Sequence, residues 1–236
     1  MRGRRRRRAA GRTLLDFAAD AGALARHLGH ERFAVVGVSA GGPYALACAH
    51  ALPERVAATA VVSGMAPGSW RSAGLPRAAR IGLRAVRLRP RACERAGDAL
   101  LGAVRRHPRL VSLVLRSGAA PADRRVLAEP GAGERAAARF LAAAGGGIGG
   151  MIDDHRICAQ PWGFEPARVR VPVHVWHGLQ DRLVPADEAM LLAAALPHAR
   201  LALDPDEGHF FYGRRLGEIL GDLAAAAAPV RVRPRA

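Results

Sequence analysis

The sequence predicts an α/β fold: an open, mainly parallel sheet interrupted by a helical insertion. Three observations point to it. Short continuous apolar runs, "FAVVGV" and "VAATAVV" early and "VPVHVWHG" and "ARLALDP" late, read as strands; unbroken runs of this kind suit parallel strands covered on both faces. Helical segments alternate with these runs, which calls for right-handed crossovers within one sheet. Between the two halves, residues 65–166 carry Gly, Pro and Arg among short amphipathic helices and little that reads as strand. A chain of 236 residues fits one core with an insertion better than two independent domains.

The elements follow in order. Residues 1–12 form a basic tail with the run Arg2 to Arg8. "TLLDFAADAGALARHLG" places Leu14, Phe17, Ala21, Leu24 and Leu28 at three- and four-residue steps. That spacing predicts an amphipathic helix, with Thr13 or Asp16 at its start and Gly29 closing it. "RFAVVGV" is then a strand, "PYALACAHAL" a helix that tolerates Pro43 in its first turn, and "RVAATAVVSG" a second strand. Residues 65–166 are read as an inserted helical cap, with a flexible joint in "AAAGGGIGGMIDD". The core resumes at residue 167 with the strand "VPVHVWHG", the helix "ADEAMLLAAALP", the strand "ARLALDP" and a helix from about Arg214 to Ala227. The core is thus discontinuous, 13–64 and 167–228, and residues 229–236 are a loose tail.

The net charge is +16, and the cations are arginines. With abundant Ala, Gly and Pro, this usage is what a GC-rich genome produces without selection for a basic partner. Nucleic-acid binders gather charge on one face and interleave aromatics. Here the arginines are scattered and aromatics are 5% of the chain, which argues against nucleic acid. Cys48, Cys93 and Cys158 are far apart and form no CxxC pair, so neither a disulfide framework nor a metal site is expected. The basic start is followed by Asp16, Asp20 and Arg26 and not by an apolar stretch, so it does not continue as a signal peptide. No membrane span, no cofactor and a cytoplasmic location are expected.

Candidate chemistry begins with "GVSAG", residues 37–41, between a strand and a helix. The pattern G-x-S-x-G sets a serine on a strained turn that lifts its Oγ out of the sheet. Gly37 and Gly41 are expected to be small because side chains there would collide within the turn. The following helix aims its N-terminus at the site, and the N–H of Ala40 would meet a developing oxyanion. Ser39 is therefore the candidate nucleophile. A serine needs a base, and the base a carboxylate to orient it. Asp181 follows the third strand in "WHGLQDRLVP", and His209 follows the fourth in "PDEGHFF". Catalytic groups of open α/β sheets gather at such carboxyl ends.

Competing roles exist for several residues. Asp181 has Arg182 and Arg200 as alternative partners, Asp187 is placed to cap a helix, and Asp204 and Asp206 are too near His209 in sequence to orient it. His174 and His177 read as structural and His198 as surface. Met65, Tyr44, Trp162 and Phe210 are candidate pocket residues, each with a core alternative. Asp153, Asp154 and His155 read as a helix cap or a polar contact, because no further metal ligand is spaced for them.

The stretches "VVGVSAGGPYALACAHALPERV", "VPVHVWHGLQDRLVP" and "PDEGHF" resemble the α/β-hydrolase fold family in its proline-iminopeptidase-like and esterase-like branch, over roughly Asp16 to Leu220. The likeness implies a Ser39–His209–Asp181 hydrolase with a helical cap, acting on a small acyl substrate: an ester, amide, lactone or short peptide. It also implies upstream strands and a His-Gly oxyanion loop, which are not found before Ser39. The expected sheet therefore lacks the usual N-terminal strands. Two things follow: a loss of roughly 10²–10³ in rate for one missing oxyanion donor, and self-association through a bare edge at Phe33–Val38. A catalytically weak remnant that binds polyanions through its arginine tail is the alternative.

Overall fold

A computed structural model describes residues 11–68, 77–106, 116, 119–145 and 147–228. The expected tails, Arg2 to Arg8 and 229–236, lie outside the described residues. Among the described residues, four parallel strands form one sheet in the order β1-β2-β3-β4: β1 (Phe33–Val38), β2 (Val56–Val62), β3 (Val173–Gly178) and β4 (Ala199–Asp204). The register pairs Val38 with Val62, Val62 with Trp176, and Gly178 with Asp204, so the carboxyl ends of all four strands lie at one side.

Helix α1 (Leu14–His27) opens with a capping box between Thr13 and Asp16. It closes with His30 N–H on Ala25 O, Gly29 N–H on Arg26 O and Gly29 at φ +78°, a Schellman stop. Its buried face is not the expected stripe. Leu14, Ala18, Gly22 and Ala25 are buried, whereas Phe17, Leu24 and Leu28 are exposed. Small residues win because the core side is tight: a Cβ on Gly22 would lie 3.0 Å from Leu52.

Helix α2 (Gly41–Ala51) holds Pro43 in its first turn, as expected, and is buried along most of its length. It packs with α1 and α8 (Ala186–Ala195) over one sheet face, where Leu46, Val61, Val173, Val175 and Leu192 meet. On the other face α9 (Tyr212–Ala227) supplies Ile219 and Leu223 against Ala60, Val62 and Trp176. Strands β2 and β3 are buried almost throughout, as continuous apolar runs predict. Strand β1 differs from the expectation: it alternates, with Ala34 and Val36 exposed. Among the described residues β1 has one lateral neighbour, β2, and an edge strand is covered only in part.

Between β2 and β3 the described residues include five α-helices, α3 (Arg77–Leu88), α4 (Pro90–Arg106), α5 (Pro121–Ala128), α6 (Ala132–Ala143) and α7 (Gly149–Cys158), and a 3-10 turn at Pro166–Arg168. The glycine-rich joint shrinks accordingly, since α6 and α7 take up both its ends.

Candidate active site

Ser39 stands at the end of β1 with φ +55°, a left-handed conformation rare for a residue with a Cβ. Such a residue stores roughly 1–2 kcal/mol of strain. Neighbours hold it there: its N–H donates to Val62 O at 2.9 Å, and its carbonyl accepts the Gly42 N–H at 3.0 Å. A Cβ on Gly37 would fall 2.3 Å from Gly41 O, so the tight turn demands glycine at that position. Gly41 differs from the expectation, because a Cβ there meets nothing within 4 Å. Ala40 caps the start of α2, and its N–H makes no backbone hydrogen bond among the described residues.

Asp181 lies just beyond β3 with a fully buried side chain. Its Oδ1 accepts the N–H groups of Leu183 at 2.8 Å and Val184 at 2.9 Å. Its Oδ2 accepts Nδ1–H of His209 at 2.7 Å. That bond puts the proton on Nδ1 and leaves the Nε2 lone pair free to act as a base. The competing partners Arg182 and Arg200 make no such contact. Burial alone would push the Asp181 carboxyl up, but donors from His177, His209 and Val184 and electrostatic attraction to the His209 ring hold it down at about 2. The carboxylate stays ionised beside the imidazole.

His177, read from sequence as structural, is completely buried and turned to this same acid. Its Nε2 lies 2.9 Å from Val184 O and 3.4 Å from Asp181 Oδ2, and its Nδ1 has no hydrogen-bond partner among the described residues. Ser63 is another residue that sequence reasoning passed over. It ends β2 as Ser39 ends β1, is buried at φ +47°, and donates Oγ–H to His209 O at 3.3 Å. The signal was available in "VVSG", a serine before glycine at a strand end. Asp123 of α5, 1% exposed, accepts the Phe210 N–H at 2.8 Å. Nothing in its local sequence announced that contact.

The structure therefore joins His209, Asp181 and Phe210, whose ring packs edge-on to the imidazole at 5.4 Å. Ser39 reaches them through the backbone of Val62 and Ser63, while its Oγ makes no hydrogen bond to His209. Catalytic hydrogen bonds often tighten only when substrate binds. Met65 is half-buried past β2, next to Gly42. Tyr44 and Trp162 make contacts of their own. The Tyr44 hydroxyl donates to Asp154 at 2.7 Å and its ring meets Phe17, while Trp162 is core, with its Nε1–H on Cys158 O. Asp154 is thus the polar contact foreseen for that run, and His155 turns back to Met151 O.

An imidazole carrying its proton on the acid side can deprotonate a hydroxyl, and a bare N–H at a helix start can stabilise an oxyanion. Among the described residues, no helix is long and apolar enough to cross a membrane. Curated proteins yielded no match to the chain. Solved structures match broadly. Est816, an N-acyl homoserine lactone degrading enzyme, is 21% identical at a TM-score of 0.64, over 93% of this chain and 76% of its own. A thermophilic esterase from Thermogutta terrifontis is 21% identical at 0.63, over 92% and 74%. The enol-lactonase from Burkholderia xenovorans LB400 is 20% identical at 0.62, over 91% and 73%. At such identity these likenesses establish the fold. The sequence pattern of the α/β-hydrolase fold, a family of generally hydrolytic enzymes, matches residues 3–214, and the chain belongs to that family.

Proposed function

We propose that the chain is a serine hydrolase that cleaves carboxylic esters, lactones, amides or small peptides through an acyl-enzyme on Ser39. The observation that carries this reading is the buried 2.7 Å bond from His209 to Asp181, at the sheet end where Ser39 stands. His209 Nε2 takes the Ser39 proton as Oγ attacks the carbonyl carbon, and the Ala40 N–H meets the oxyanion. The imidazolium, stabilised by Asp181, returns the proton to the departing alcohol or amine. Water activated by His209 then releases the acid and restores Ser39. Esters and lactones stand first because the similar solved structures include an esterase and lactone-acting enzymes. The helices between β2 and β3 serve as the cap over the substrate, and the three free cysteines suit a cytoplasmic setting. Self-association is assigned to the outer edge of β1, where Val36 is exposed; Val36→Lys should abolish any dimer seen by light scattering.

A fluorophosphonate probe tests the chemistry. Labelling of wild type and not of Ser39→Ala is the expected result. A folded, unlabelled wild type would leave a catalytically silent member of the family, and salt-sensitive polyanion binding lost with Arg2 to Arg8 would then become its function.

A further inference from the structure

We infer that Asp123 is a positioning residue: through it, α5 of the helical insert clamps the loop that carries His209. The inference rests on the catalytic reading of His209. Carboxyl groups are seldom as buried as this one without a charged partner, and Asp123 instead takes the backbone of the loop. The Phe210 N–H donates to Oδ1 at 2.8 Å, and the His209 N–H is also directed at the carboxyl. Burial raises its affinity for a proton in spite of these donors. The loop makes room for the acid, since a Cβ on Gly208 would lie 2.5 Å from Oδ1.

Two further ties run from the same helix region. Arg125 donates to Asp206 O at 2.9 Å, and Arg214 bridges Glu129, just past α5, to Glu207 at 3.3 Å each. The core holds the loop from the other side, through the Gln180 N–H on Glu207 O and the Ser63 hydroxyl on His209 O. His209 is therefore seated between the sheet and the insert. A shift of α5 changes where the imidazole points, and that couples movement of the insert to the acid–base pair.

The test uses Asp123→Ala, Asp123→Asn and Arg125→Ala in the full chain. Two readouts are followed: the far-downfield Nδ1–H proton resonance of His209 in the free protein, and the rate of fluorophosphonate labelling. Asp123→Ala should broaden or lose the resonance and slow labelling roughly ten- to a hundredfold, as displaced catalytic groups do. Asp123→Asn keeps an acceptor for Phe210 and should recover most of both. Arg125→Ala, at an exposed position, should show the same changes more weakly and carries the test if Asp123→Ala does not fold. Unchanged resonance and labelling in the folded variants would overturn the clamp. The resonance needs no turnover: if wild type shows it without labelling, the hydrolase reading fails, and its loss in Asp123→Ala still supports the clamp.

Discussion

His209 and Asp181 share a 2.7 Å hydrogen bond in which the carboxylate is wholly buried and already accepts two backbone N–H groups. The acid cannot rotate away without abandoning Leu183 and Val184, so the imidazole is presented in one tautomer.

Asp181→Asn should therefore cost on the order of 10³–10⁴ in kcat on a nitrophenyl ester, because an amide can present a donor to Nδ1 and favour the wrong tautomer. The far-ultraviolet circular dichroism should stay unchanged. Activity within tenfold of wild type would count against the assigned role.

Acid should weaken the fold through the same group. The folded value near 2 lies below the ordinary 3.8, so the stabilisation is full above the ordinary value and is lost as pH falls through the folded one. Urea unfolding at pH 5 and pH 2 should show the advantage of wild type over Asp181→Asn shrink by on the order of 2 kcal/mol.

The two histidines on Asp181 should separate by readout. His177→Ala removes a fully buried ring and should destabilise by about 2–4 kcal/mol while leaving kcat within about tenfold. His209→Ala should abolish turnover with a smaller loss in melting temperature. Equal effects of the two on kcat would assign His177 a larger part.

Thiol chemistry checks the packing. Burial pushes Cys48 up to about 11, and burial together with Asp154 pushes Cys158 up to about 12, whereas Cys93 is half-buried on α4. Thiolate is the reactive form. Ellman's reagent should modify Cys93 in the native protein and reach Cys48 and Cys158 only in denaturant.

Sequence alone was enough to read the strands, the tight turn at Ser39 and the two loops that carry Asp181 and His209, because each depends on local pattern: an apolar run, a turn, a strand end. What was not legible depends on contacts between distant segments. The stripe on α1 was misread because Leu24 and Leu28 look like core, yet the buried face is Leu14, Ala18, Gly22 and Ala25, and Gly22 allows the close approach of Leu52. The contacts of Tyr44 with Asp154 and Phe17 likewise join segments far apart in the chain. Asp123 meets Phe210 across the whole of β3 and β4, a pairing no periodicity encodes.

The seam between β2 and β3, where Val62 pairs with Trp176, joins stretches of chain separated by the entire insert. Closing so long a loop is entropically costly, and such pairings form late. Ser39 belongs to the first βαβ half, and Asp181 and His209 to the second. Neither half holds all three residues of the proposed triad, so during refolding the gain of probe reactivity and the desolvation of Trp176 should share one time course.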